Sequence, residues 1–133
     1  MTDANKRANI ASELGRADES MRAARVLVDA ALFHDAESRL YYAIYHAVVA
    51  LLLTEGLEPR SHAGTTSMFG LHFVKTGRMG PEDARLFARI QKYRLEADYG
   101  RDFMLTEEAL REDLASCQGF LDRARGTIAV VLG

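Results

Sequence analysis

Between Ala36 and Thr54 apolar side chains point in almost every direction around a helix, Tyr41, Ile44, Val48, Leu51 and Leu52 among them. A helix that is apolar all round is stable only when other elements cover it on every side. The stretch therefore belongs at the centre of a bundle, and the rest of the chain has to supply the surrounding helices.

The flanking segments have the periodicity to do so. Ile10, Leu14, Ala17, Met21, Ala24, Val28 and Ala31 recur at alternating steps of four and three, which lines one side of a long first helix. Phe33, His34 and Asp35 are expected to form a short connection into the central helix. Gly56, Pro59 and Ser61 end that helix, because glycine frees the backbone and proline cannot continue the hydrogen-bond ladder. His62 to Lys75 holds Met68, Phe69, Phe73 and Val74 but also Gly64 and Gly70, so a short, irregular helix is expected there. Gly77 and Gly80 bracket the next break. Pro81 suits a first helical turn, with Glu82 and Asp83 complementing the helix dipole. The helix from Pro81 to about Tyr99 carries a stripe of Leu86, Ile90, Tyr93 and Ala97, and Gly100 is placed to stop it. Thr106 caps a last helix with an inner stripe of Leu110, Leu114, Cys117, Leu121, Ala124, Ile128 and Val131.

No segment alternates with the period of two that a half-buried strand requires. The expected fold is all-α: an up-and-down antiparallel four-helix bundle with an additional short helix. At 133 residues the chain fits one domain, residues 1–133, long enough to bury roughly two thirds of its unfolded surface without staples.

A formal net charge of -2 gives no global attraction to polyphosphate, so any nucleic-acid contact must come from a local arginine cluster. The single cysteine, Cys117, cannot close an internal disulfide and lies in an apolar stripe, as a core residue does. The first residues lack the apolar centre of a signal peptide, and the longest apolar run, Ala47 to Leu53, is far below the roughly 20 residues that cross a bilayer. A cytoplasmic location with no membrane contact is expected.

Two polar constellations interrupt this apolar framework, and buried polar groups persist only where partners satisfy them. Asp35, Arg39, Tyr42 and His46 fall at steps of four, three and four along one face of the central helix. Arg39 could pair with Asp35 while Tyr42 and His46 bond neighbouring helices, a purely structural arrangement. Alternatively the line faces a cleft. On the fourth helix Arg94 and Asp98 stand one turn apart, suited to an ion pair, or to a guanidinium that grips phosphate while the carboxylate holds it. His62 and His72 make no metal-ligand spacing with a second histidine or a cysteine. His34 is expected at the surface. No phosphate loop, nucleophile elbow or glycosidase carboxylate pair is present, and neither a metal site nor a cofactor is expected.

The order Ser38-Arg39-x-Tyr41-Tyr42-Ala43-x-Tyr45-His46-Ala47, then Gly56-Leu57-x-Pro59-x-x-His62-x-Gly64, then Phe69-Gly70-x-x-Phe73-Val74, then Arg94-x-x-Ala97-Asp98-Tyr99 resembles the HEPN domain family over essentially the whole chain. The resemblance implies an all-α bundle that forms a homodimer and is commonly encoded beside a minimal nucleotidyltransferase. In toxin–antitoxin pairs of this kind the HEPN member is often a metal-independent ribonuclease. Its signature is an arginine followed, after four to six residues, by a histidine, and two such motifs meet across the dimer.

Here the residue at that spacing from Arg94 is Tyr99, and a phenol with an ordinary pKa of about 10 is a poor general base near neutral pH. A second match, Arg39 with His46, lies on the central helix instead. The catalytic candidates are accordingly Arg94, Tyr99 and His46. Arg39, Tyr42, His46, Arg94 and Asp98 are the candidates for binding RNA, a nucleotide or a partner protein. Three readings stand open: a binding module of a toxin–antitoxin system, an RNA-cleaving toxin, and a structural dimeric helical module.

Overall fold

The computed structural model describes residues 2–99 and 105–133, with side chains described as far as Glu96 in the first stretch. Among these residues there are only helices and their connections: α1 (Asp3–Asp29), α2 (Phe33–Thr54), α3 (His62–Phe69), a π-helical turn (Gly70–Val74), α4 (Pro81–Tyr99) and α5 (Glu107–Leu132). The chain is an all-α up-and-down bundle of four long helices with α3 as the short extra one. No helix among the described residues is long and apolar enough to cross a membrane.

α2 is the central helix, packed against α1, α3, α4 and α5. Leu40, Tyr41, Ile44, Val48, Leu51 and Leu52 are fully buried on it. Phe69, Phe73, Phe87 and Phe120 close around them from the other helices, each worth roughly 2–3 kcal/mol of apolar burial. The first-helix stripe is buried at Ile10, Ala17, Met21, Ala24 and Val28, and the last-helix stripe at Leu110, Cys117, Leu121, Ala124 and Ile128.

Both stripes end sooner than the periodicity suggests. Ala31 lies outside α1 and is exposed, and Val131 is 37% exposed in the final turn of α5. The connection between α1 and α2 is also not Phe33–Asp35: α2 already begins at Phe33. The turn is made by Ala31 in a left-handed conformation (φ 61), with its N–H donated to the Val28 carbonyl and that of Leu32 to the Leu27 carbonyl. That pair of bonds satisfies the last carbonyls of the helix and reverses the chain within three residues. Gly56 (φ 71) closes α2 by the same device, with Leu57 donating to Leu52.

Side-chain caps start the other helices. The Thr106 hydroxyl accepts from the Ala109 N–H at 3.1 Å, and the Ser61 hydroxyl from the Gly64 N–H at 2.9 Å, which makes His62 the first residue of α3. After α3 the coil widens into the π turn, as Gly64 and Gly70 led one to expect of an irregular segment. Phe69 and Phe73 are both buried across this junction.

α4 and α5 are bridged by two reciprocal ion pairs. Arg89 of α4 donates to Asp113 of α5 at 2.6 Å, and Arg123 of α5 donates through Nε to Asp83 of α4 at 2.9 Å. Both carboxylates are buried while the guanidiniums reach toward solvent.

Candidate functional site

Helical spacing places Arg39, Tyr42 and His46 on one face of α2, and the packing of α4 across that face brings Arg94 to it. Arg94 donates from Nη2 to the Tyr42 phenol oxygen at 3.2 Å. Its guanidinium carbon lies 5.0 Å from the Tyr41 ring centre and 5.3 Å from that of Tyr42. Arg39 covers Tyr42 as well, at 4.9 Å. Two cations thus converge on one half-buried phenol. Arg39 takes this position and not one on Asp35: no ion pair joins those two among the described residues. Asp35 is exposed in the first turn of α2, where a carboxylate complements the helix dipole.

His46 turns toward α1. Its Nδ1 lies 2.7 Å from Glu13 Oε2. An ionised carboxylate only accepts, so Nδ1 is the donor in this contact and Nε2 is turned away from Glu13. A groove of about 280 Å3 opens here between α1 and α2, lined by Arg16, Glu19, Ser20, Ala23, Arg39 and His46. The Tyr42 ring centre is 6.3 Å from that of His46.

Helical spacing alone gives His62 no partner, yet the fold brings it within reach of the Arg94 charge. The His62 Nδ1 is hydrogen-bonded to the phenol of the fully buried Tyr41. Its ring stacks on Tyr45 with centres 4.5 Å apart and planes 13° apart, and meets the edge of Tyr42 at 6.4 Å. Partial burial lowers the His62 pKa below its ordinary value, and the Arg94 charge lowers it further, so the imidazole is neutral near pH 7. Burial pushes the Tyr41 phenol up to about 12, the opposing pull of Arg94 being the smaller effect. Ser61 caps α3 and so fixes His62 as its first residue, but the contact with Tyr41 comes from the docking of α3 on α2.

Asp98 and Tyr99 are the remaining candidates. Both belong to the last turn of α4, and their side chains lie outside the described residues.

A second polar group was missed altogether. Glu37 of α2 is fully buried, and neither carboxylate oxygen has a hydrogen-bond partner among the described residues. Burial raises its pKa to about 8, with the Asp113 charge adding to the effect and Arg89 opposing it. It is therefore mostly a neutral acid at pH 7. Its position was legible: Glu37 stands one turn before Tyr41 on the stripe that continues through Ile44 and Val48. Cys117 sits in the same region, fully buried, with its thiol pushed far up by desolvation.

The sequence matches the family model described as the HEPN domain over residues 12–126. It is 38% identical over 116 residues to "Putative toxin MJ0605" of Methanocaldococcus jannaschii, covering 87% of this chain and 86% of that protein. A "UPF0332 protein" of Thermotoga maritima is 36% identical over 107 residues, with 80% and 81% covered. A further relative from Methanocaldococcus jannaschii, "Putative toxin MJ0142", is 30% identical over 110 residues, with 83% and 75% covered.

Proposed function

The chain belongs to the HEPN domain family, and from that premise we propose that it is the HEPN member of a toxin–antitoxin pair that binds RNA or a nucleotide through the polar face of α2. In this reading residues 1–133 form one domain that works as a cytoplasmic homodimer, with a minimal nucleotidyltransferase as its partner. The toxin names carried by two relatives support the biological setting.

The observation that carries the binding function is the convergence of Arg39 and Arg94 on Tyr42, at 4.9 and 5.3 Å from one ring. Each guanidinium is held against the phenol ring, desolvated on that side and oriented, so each can take a phosphate oxygen with little loss of side-chain freedom. Because the net charge is -2, such binding depends on this local cluster. The test is fluorescence anisotropy with a labelled RNA oligonucleotide. Wild-type protein should bind saturably, and Arg39→Ala and Arg94→Ala should each weaken binding and flatten its salt dependence. Wild-type protein that binds neither RNA nor nucleotides refutes the reading.

A second reading, metal-independent RNA cleavage, is favoured by the contact between His46 and Glu13. With Nδ1 tied to the carboxylate, Nε2 can accept the proton of a ribose 2′-hydroxyl as that oxygen attacks the adjacent phosphorus. Arg39 would stabilise the charge on the crowded phosphate. The 5′-oxygen leaves and takes a proton from water, giving a 2′,3′-cyclic phosphate and a 5′-hydroxyl, and Nε2 then returns its proton to the hydroxide formed. This reading predicts growth arrest on expression, abolished by His46→Ala. RNA that stays intact with wild-type protein eliminates it.

A further inference from the structure

We propose that His62 is a stacking platform for a nucleobase, so that the strand engaged by Arg94 is single-stranded, with its bases unpaired. The proposal rests on the phosphate-binding reading above and adds a base-recognition subsite to it.

The imidazole is fixed on three sides. Tyr41 holds Nδ1, Tyr45 lies parallel to one face at 4.5 Å, and the Ser61 cap sets the backbone at the first turn of α3. Tyr41 is itself immobile, being fully buried and stacked on Phe87 at 6.2 Å. Yet His62 is exposed. Tyr45 covers one face, Tyr41 meets the Nδ1 edge with its plane 16° from that of the imidazole, and Tyr42 stands edge-on at 6.4 Å, which leaves the remaining face and the outer edge of the ring to account for the exposure. A histidine kept only for packing has no need of an open aromatic face. A base-stacking side chain needs that face, together with the rigidity that the three contacts provide.

Position supports the same role. The Arg94 guanidinium lies over Tyr41, the residue that holds His62. A base laid on the imidazole therefore has its own backbone within reach of a phosphate-binding cation. The ring is uncharged near neutral pH, so stacking does not require burying a charge. In a duplex the bases are already stacked and paired, and the platform has nothing to receive.

The test uses three labelled probes of equal length: single-stranded RNA, the same strand with abasic positions, and the duplex. Anisotropy should show wild-type protein binding the intact single strand about tenfold more tightly than the abasic strand, the difference one stacked base makes. His62→Ala should lose that preference, while His62→Phe, which keeps an aromatic face but no nitrogen, should retain it. Thermal melting of each variant establishes that the fold is intact. Wild-type protein that binds abasic and intact strands equally would overturn the platform and leave the phosphate site standing, as would His62→Phe falling as far as His62→Ala. Failure of all three probes to bind wild-type protein would overturn the phosphate site and the platform together.

Discussion

Arg94 and Tyr42, 52 positions apart in the chain, share a single hydrogen bond of 3.2 Å between α4 and α2. A phenol oxygen accepts the N–H without carrying a counter-charge, so what this bond contributes is orientation. Orientation and charge should therefore be separable. Tyr42→Phe keeps the ring beneath Arg39 and Arg94 but deletes the acceptor, and we expect RNA affinity to fall about tenfold. Tyr42→Ala removes the ring as well and should cost more. Anisotropy on the two variants side by side decides the matter: equal losses would mean that the phenol oxygen contributes everything.

Glu37 makes stability fall as pH rises. Its folded pKa of about 8 lies above the ordinary carboxylate value of 4.5, so the native state holds a proton that the unfolded chain has released. Between those two values each pH unit removes up to about 1.4 kcal/mol of stability, and above pH 8 the effect is complete. Urea denaturation at pH 5, 7 and 9 should show this decline in the wild type. Glu37→Gln should flatten it, because an amide does not titrate. Parallel profiles for the two proteins would contradict the assignment.

Asp83 satisfies two donors at once, the Gly80 N–H at 2.9 Å and the Arg123 guanidinium. Arg123→Ala leaves that buried carboxylate with the backbone donor alone, and should cost about 2 kcal/mol, a value held down by the half-exposed guanidinium. Asp83→Ala should cost more, since the start of α4 loses its cap too. The double variant should be less destabilised than the sum of the singles by about 1 kcal/mol. Strict additivity in denaturation midpoints would show that the pair is not coupled.

Ala31 occupies the left-handed conformation that ends α1 (φ 61). Its side chain is exposed, so replacement costs no packing. Ala31→Gly should relieve the strain on Cβ and, after the extra freedom of glycine in the unfolded chain, raise stability by about 0.5–1 kcal/mol. A melting temperature that falls would place the turn in a different geometry.

The same alanine explains where sequence reasoning lost the chain. Pro81 with Glu82 and Asp83, and Thr106 before Glu107, announce the starts of α4 and α5 through backbone and capping chemistry that acts within one turn. The turn after α1 uses an ordinary residue in an unusual conformation, and nothing in its composition distinguishes it from helix. Hence Phe33 read as loop. In the site, Arg39, Tyr42 and His46 were legible because one helical period aligns them. Arg94 was legible as a polar residue beside an apolar stripe. His62 and Glu13 were not, since each reaches α2 through tertiary docking: 21 positions separate His62 from Tyr41, and 33 separate Glu13 from His46. The Arg39 and Asp35 pair, by contrast, had helical spacing in its favour and lost to the aromatic surface of Tyr42.

The π turn at Gly70–Val74 lies between the helix that carries His62 and the helix that carries Arg94. A helix advances about 100° with every residue, so the one additional residue that such a turn holds acts as a phase setting between two parts of the molecule. Shortening it by a single position would turn α3, and His62 with it, relative to the buried Phe73 that anchors the turn. Drift by insertion or deletion in this short segment is thus a mutational route by which a copy of this chain could stay helical throughout and still lose the register between His62 and Tyr41.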